Sequence, residues 1–332
     1  MRKHLVGKRP GTILWAIALL PVLMFAAPCL FPVFMPMALA DPLPFDNSAF
    51  AEVNGVSFHY RTYRPRDERV QGKLLLVHGL GGSTFSFDAS APLITEKGYY
   101  VVSVDLPGFG FSGRDSAYDH SQQNRAADVW LLLQVIDQNL PQKAAAMPWH
   151  LAGHSMGGGT VAAMAMQEPS RAQTLILVDA ALFDAPNSGG FLAFPPLGRW
   201  AMTALEHFLI TENRVKSLLT SAYGRDPSQA EIEGYLAPLR LPGTARSWLN
   251  LARKSKNEDP TRLKGLAVPI FAIWGSRDTW VPLEALDKVR VLRPDLTARI
   301  IEGAAHCPME THPDVFSAAV LAWLSDNPEA GS

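Results

Sequence analysis

Hydrophobic residues follow two alternating patterns along most of the chain. Short continuous apolar runs, typical of strands buried on both faces of a sheet, are separated by segments whose apolar residues recur with helical spacing. The apolar runs are residues 73–79, 99–106, 149–151, 174–179, 268–274 and 298–301. The segments predicted to be helical include 121–140, 157–166, 283–291 and 313–324. Strands alternating with helices predict an α/β fold in which a mostly parallel sheet is covered by helices on both faces.

Two stretches depart from this alternation. Residues 51–64 alternate apolar and polar positions around Asn54-Gly55, which predicts a β-hairpin ahead of the parallel strands. Residues 183–264 lack strand patterns and read as a helical insertion after the sixth strand. We expect this insertion to form a lid over the carboxyl ends of the strands, where such folds place their ligands. It carries aromatic residues that we expect to be exposed, namely Trp200, Phe208, Tyr223, Tyr235 and Trp248.

The N-terminus has the pattern of a targeting segment. Residues 2–9 include four basic side chains, and residues 11–40 contain no charged side chain. Ala38-Leu39-Ala40 places small residues at the two positions that signal peptidase reads, so we expect cleavage after Ala40 and export to the periplasm or the medium. The alternative is an uncleaved membrane anchor through residues 11–40, because that stretch reaches membrane-spanning length. Its prolines argue against one straight helix.

These patterns divide the chain into four predicted parts. Residues 1–40 are a signal peptide or an N-terminal membrane anchor, and residues 41–182 are the first part of an α/β core. Residues 183–264 form the helical cap, and residues 265–332 complete the core.

Composition removes several classes of function. With 332 residues, 48% of them hydrophobic, the chain can bury a sizeable core. Its net charge of −1 provides no basic surface for nucleic acid. Cys29 and Cys307 are its two cysteines, which excludes a disulfide framework and any cysteine-based metal site. We expect Cys307 to be a small packing residue, with a redox switch as the alternative.

The segment Gly153-His154-Ser155-Met156-Gly157 has the strongest chemical signal in the sequence. An apolar run leads into it and a small-residue helix leads out, so the predicted order is strand, sharp turn, helix. Glycines two positions before and after a serine allow a turn too tight for side chains, which raises the serine hydroxyl above the sheet edge. Ser155 is therefore the predicted nucleophile.

A serine nucleophile needs a base and an acid that orients it. Of the nine histidines, His306 is preferred as the base because it follows the last predicted strand in a loop of small residues. Asp278 is preferred as the acid, since it follows a strand end in the order Ser, Asp, His. Asp179 at the end of the strand after the elbow is the rival acid. The backbone amides of Leu80 and Met156 are the predicted oxyanion donors.

With these residues in place, the chain from about residue 50 to 326 resembles the α/β-hydrolase superfamily. The motifs that carry the resemblance are His78-Gly79, the segment 105–112 (DLPGFGFS), the serine elbow, Trp274-Gly275-Ser276-Arg277-Asp278, and His306 with Pro308. The resemblance implies Ser155, Asp278 and His306 as a catalytic triad, and its closest match is the branch with a helical cap. It implies no metal or organic cofactor.

The resemblance also narrows the expected activity. Epoxide hydrolases and haloalkane dehalogenases of that branch use an aspartate nucleophile, whereas position 155 is serine. The loop after Gly79 lacks the Gly-Pro-Gly signature of proline iminopeptidases, which disfavours a peptidase. We therefore predict hydrolysis of a small to medium, largely apolar carboxylic ester. The alternatives are carbon–carbon bond hydrolysis, acyl transfer, and ligand binding without turnover.

Overall fold

A single eight-stranded sheet organises the structure, a computed structural model that describes residues 43–66, 70–183, 195–205 and 210–328. Its strands lie in the order β1-β2-β4-β3-β5-β6-β7-β8. The strands are β1 (Ser48–Val53), β2 (Val56–Tyr63), β3 (Gly72–Val77), β4 (Tyr99–Val104), β5 (Trp149–His154), β6 (Ala172–Val178), β7 (Ile270–Gly275) and β8 (Thr297–Ile301). Strands β3 to β8 are parallel, and β2 is antiparallel to both of its neighbours.

Helices connect the strands. They are α1 (Ala91–Thr95), α2 (Gln122–Asp137), α3 (Gln142–Ala145), α4 (Met156–Gln167), α5 (Pro195–Ala204), α6 (Glu212–Tyr223), α7 (Gln229–Leu239), α8 (Thr244–Lys254), α9 (Leu283–Leu292), α10 (Pro308–Thr311) and α11 (Pro313–Asp326). Short 3₁₀ segments lie at Thr84–Phe87, Pro169–Arg171 and Pro260–Gly265. The α/β fold class predicted from the sequence is confirmed.

The apolar runs form central strands because both faces of the sheet are covered. Every residue of β3 is buried, and successive side chains of a strand point to opposite faces. Leu75 and Val77 accordingly belong to one hydrophobic core, and Leu74 and Leu76 belong to the other. Burying a side chain of this type stabilises the fold by about 1.5–3 kcal/mol, so one such strand supports both layers.

The predicted hairpin is also present. Strands β1 and β2 pair antiparallel with Val53 opposite Val56. The two turn residues both have left-handed backbone angles, with φ of 50° at Asn54 and 77° at Gly55. This geometry matches a two-residue turn whose twist suits a hairpin, and asparagine followed by glycine tolerates it best.

The chain places helices α5 to α8 between β6 and β7, within the stretch predicted to be helical. Helix α7 begins with a capping box in which Ser228 and Glu231 each bond the other's backbone amide. The expectation of exposed aromatic residues is wrong for Tyr223, which is 2% exposed. Its hydroxyl donates a hydrogen bond to Glu310, which satisfies the polar end of the buried side chain.

The predicted signal peptide or anchor, residues 1–40, lies outside the described residues. Within the described ranges, none of the helices combines the length and the hydropathy that crossing a bilayer requires.

Candidate active site

Ser155 occupies the sharp turn between β5 and α4. Its backbone has φ 50° and ψ −117°, a conformation that costs a non-glycine residue about 1–3 kcal/mol. Backbone hydrogen bonds hold it there: the Ser155 N–H donates to Val178 O at 2.9 Å, and the Ser155 carbonyl accepts from Gly158 and Ala181 at 3.0 Å each. The strain is therefore offset by the end of β6 and the first turn of α4.

Glycine is required on both sides of this turn. A Cβ atom added to Gly157 would collide with the backbone carbonyls of Val77 and His78 at the end of β3. A Cβ atom at Gly153 would collide with the carbonyl of Gly157. The elbow can pass this close to its neighbouring strand only without side chains at these two positions.

His306 and Asp278 are joined by a hydrogen bond of 2.8 Å between Nδ1 and Oδ2. The other carboxylate oxygen, Oδ1, accepts the backbone amides of Trp280 at 2.7 Å and Val281 at 3.0 Å. Burial acts to raise the pKa of Asp278, but the hydrogen bond and charge of His306 outweigh it, so that pKa lies below its ordinary value. An ionised carboxylate only accepts, so the proton belongs on Nδ1 and Nε2 is left as an acceptor.

Asp179, the rival acid, lies beside this pair. Its Oδ1 accepts the backbone amide of Gly275 at 2.9 Å. One ligand atom from each of Asp179, Asp278 and His306 lies within 4.8 Å of the others. Burial, and then the negative charge of Asp278, raise the pKa of Asp179 well above its ordinary value. The raised pKa favours the neutral form of Asp179, and a neutral carboxyl group is a poorer metal ligand than a carboxylate.

Two rings contact the imidazole of His306. The ring centroid of His154 lies 4.7 Å away, and its Nε2 lies 2.7 Å from the His306 carbonyl oxygen. Burial, followed by the charge of His306, lowers the pKa of His154 to about 3, so this ring is neutral and its Nε2–H donates to that carbonyl. The indole of Trp280 stacks on the imidazole at 5.2 Å between centroids, with an interplanar angle of 29°.

The loop after β3 is held against the elbow. His78 accepts the Leu106 amide on Nε2 at 3.0 Å, and its Nδ1 donates to Gly79 O at 2.7 Å. Burial lowers the pKa of His78, which keeps the ring in the neutral form that this pair of bonds requires. A Cβ atom at Gly79 would lie 3.0 Å from the Cβ of Ser155. Leu80 is therefore carried next to the nucleophile candidate.

Met156, the second predicted oxyanion donor, is the first residue of α4. The first amides of a helix have no intrahelical acceptor, and the helix dipole adds partial positive charge there. The structure thus places Leu80 and Met156 on the two segments that meet at Ser155.

A cavity of about 360 Å³ opens onto these groups. Ser155, His306 and Leu80 contribute to its wall. Most of the remaining wall is apolar and comes from the cap and from the loop after β7: Val215, Leu218, Leu219, Ala222, Leu239, Trp248, Trp280 and Val281. A site of this kind suits an uncharged, largely apolar substrate.

One buried polar cluster near the site was not found from the sequence. Tyr223 of α6 and Tyr235 of α7 donate their hydroxyls to the two carboxylate oxygens of Glu310, each at 2.6 Å. Burial raises the pKa of Glu310 to about 7, although the two tyrosine hydrogen bonds act in the opposite direction. The cluster joins two cap helices to α10, four residues beyond His306. No local pattern marks Glu310, because its partners are distant in sequence.

Comparison with known proteins identifies the family of the chain. Residues 68–312 match the family model Hydrolase_4, described as serine aminopeptidase, S33. The chain is 26% identical to an uncharacterized hydrolase, YugF, of Bacillus subtilis over 274 residues, covering 82% of this chain and 96% of that protein. It is also 26% identical to the pimeloyl-[acyl-carrier protein] methyl ester esterase of Edwardsiella ictaluri, covering 74% of this chain and 91% of the esterase.

Among solved structures, the crystal structure of a membrane phospholipase A, a bacterial virulence factor, has a TM-score of 0.67 at 21% sequence identity. The superposition covers 95% of this chain and 97% of the phospholipase. At 21% sequence identity this similarity establishes the fold alone, because one fold supports many different reactions.

Proposed function

The chain belongs to the Hydrolase_4 family of α/β-hydrolases, and from that premise we propose that it hydrolyses a carboxylic ester of a small to medium, largely apolar substrate. The observation that carries the proposal is the 2.8 Å hydrogen bond from His306 Nδ1 to Asp278, since His306 lines the apolar cavity that Ser155 also lines. Relatives that are named as an esterase and a lipase support the same class of reaction.

Each proposed residue has a defined role in the reaction. The Ser155 hydroxyl attacks the ester carbonyl while His306 Nε2 accepts its proton. The carbonyl oxygen becomes an anion, which the amides of Leu80 and Met156 stabilise. Asp278 stabilises the imidazolium and fixes the ring orientation. Collapse of the intermediate passes the proton from His306 to the departing alcohol and leaves an acyl group on Ser155.

The second half of the reaction uses the same groups. Water enters, His306 removes a proton from it, and the resulting nucleophile attacks the acyl carbonyl. The acid leaves as the proton returns to the Ser155 oxygen. Water is the sole co-reactant, and the products are the carboxylic acid and the alcohol.

The test is hydrolysis of p-nitrophenyl esters from acetate to palmitate by the full chain, compared with Ser155→Ala. We expect turnover that falls by at least about 10³-fold in the variant, because Ser155 forms the acyl intermediate. Fluorophosphonate labelling of the wild-type chain shows whether Ser155 is reactive, and thermal unfolding of both proteins shows whether the fold is intact. Labelling of Ser155 without ester turnover would contradict the proposal and favour carbon–carbon bond cleavage, acyl transfer or a non-catalytic binder.

A further inference from the structure

Trp280 makes three separate connections at the edge of the site. Its backbone amide donates to Asp278 Oδ1 at 2.7 Å. Its ring stacks on the imidazole of His306, with centroids 5.2 Å apart and planes at 29°. Its indole Nε1–H donates to the Ser221 hydroxyl of cap helix α6 at 3.0 Å. One residue therefore contacts the acid, the base and the cap.

Burial of its own surface does not explain this arrangement. Trp280 is 45% exposed, although a large aromatic side chain gains most from being covered. Its indole N–H is bonded to Ser221, a residue on the exposed surface of the cap. The ring is thus held at the mouth of the cavity by directional contacts, with His306 against it.

The stacking partner changes charge during the proposed reaction. His306 becomes an imidazolium whenever it holds the proton from Ser155. The face of an indole ring carries negative electrostatic potential, so it attracts a cation placed against it. The ring of His154 also contacts the imidazole, at 4.7 Å between centroids, and His154 donates to the His306 backbone carbonyl at 2.7 Å. Two rings therefore restrict the imidazole, and the indole of Trp280 also favours its protonated form.

We propose that Trp280 is a positioning residue that holds His306 in its reactive orientation and, through Ser221, makes that orientation depend on the docked position of cap helix α6. The inference rests on the proposed role of His306 as the base. Trp280 touches no reacting atom in this scheme; it acts through His306 and Asp278.

Three variants separate the contacts. Trp280→Leu removes the ring and the N–H, Trp280→Phe keeps a ring and removes the N–H, and Ser221→Ala removes only the acceptor. For Trp280→Leu we expect kcat to fall about tenfold, equally for acetate, butyrate and octanoate esters, with KM within about twofold. Trp280→Phe should recover most of that loss. Ser221→Ala should resemble Trp280→Phe, and the double variant should be no worse than either.

A second readout does not depend on ester turnover. The rate of Ser155 labelling by a fluorophosphonate requires the base, so it should slow about tenfold in Trp280→Leu and recover in Trp280→Phe. If the natural reaction is not ester hydrolysis, this measurement still tests the positioning role. Failure of the wild-type chain to hydrolyse any ester thus counts against the proposed function alone.

Other outcomes would overturn the inference. A rise in KM confined to octanoate, with kcat unchanged, would make Trp280 a wall of the cavity and nothing more. Equal loss in Trp280→Leu and Trp280→Phe would show that the ring has no positioning role. Thermal unfolding of each variant identifies misfolding, and Trp280→Phe with Ser221→Ala tests the coupling even if Trp280→Leu does not fold.

Discussion

Two carboxyl groups lie side by side at the ends of β6 and β7, and their surroundings shift their pKa values in opposite directions. Asp278 accepts two backbone amides and the His306 N–H, which stabilise the ionised form. Asp179 has one backbone donor and is buried next to that negative charge, so its pKa is raised. Two adjacent carboxylates cannot both ionise without a large repulsion. Asp278, which accepts more hydrogen bonds than Asp179, is therefore the carboxyl group whose ionised form is favoured next to His306.

This difference predicts opposite responses to the same substitution. Asp278→Asn should lower kcat by about 10³–10⁴-fold, because an amide no longer selects the Nδ1–H form of His306 or stabilises the imidazolium. Asp179→Asn should keep kcat within about threefold of wild type, since the raised pKa of Asp179 favours a neutral carboxyl group and asparagine is also neutral and keeps an oxygen for the Gly275 amide. Steady-state kinetics on p-nitrophenyl butyrate compare them. Equal losses in the two variants would mean that both carboxyls act on the histidine.

At the scale of secondary-structure elements, several polar contacts attach the cap to the core, and the Glu310 cluster is one of them next to the site. Tyr223 and Tyr235 reach Glu310 from two different cap helices. The thiol of Cys307 is a neighbour, and burial raises the pKa of that thiol well above its usual value. Both tyrosine pKa values are raised as well. The tyrosines thus stay protonated, and Glu310 is the group that titrates near neutral pH.

The raised pKa of Glu310 links stability to pH. The folded chain binds this proton more tightly than the unfolded chain, so its stabilisation is complete below the ordinary pKa of 4.5 and is lost as pH rises through about 7. Urea unfolding of wild type and Glu310→Gln between pH 4.5 and 8 measures it. The stability of wild type relative to the variant should decline by up to about 3 kcal/mol over that range.

The matched control is Glu233→Gln on the exposed surface of α7, which makes the same change without a buried partner. Its unfolding free energy should follow the wild-type pH dependence. A constant difference between wild type and Glu310→Gln at every pH would show that Glu310 does not titrate between the folded and unfolded states.

Across the whole molecule, local patterns predicted the sheet and the positions of the candidate site residues. The apolar runs that form β3 to β7 predict a sheet covered by helices on both sides, since both faces of each strand are apolar. Parallel strands bring their carboxyl ends to one edge, so residues following β5, β7 and β8 were expected to meet there. In the structure, Asp278 Oδ2 lies 2.8 Å from His306 Nδ1, as expected of two residues with the catalytic roles proposed above.

Contacts between distant segments could not be predicted in this way. Tyr223 seemed exposed because helical spacing does not reveal that a carboxyl group 87 residues later will accept its hydroxyl. The hydrogen bond from His154 to the carbonyl of His306, a residue 152 positions away, likewise has no local signal in the sequence. Both contacts follow from the packing of the cap and the loop after β8, which single-sequence periodicity does not specify.

Core and cap form the cavity together, because the core supplies Ser155 and His306 and the cap supplies most of the apolar wall. Val215 of α6 is 5% exposed and lines it. Val215→Phe should fill part of the 360 Å³ and shift the preferred acyl chain to shorter lengths. We expect kcat/KM for p-nitrophenyl octanoate to fall at least about tenfold, while the value for acetate stays within about threefold.

The control is Val291→Phe, the same change at a position of α9 that is 75% exposed, and it should leave kcat/KM for both esters unchanged. A parallel fall for acetate and octanoate would place the acyl chain elsewhere, because a cavity that binds it must discriminate by length.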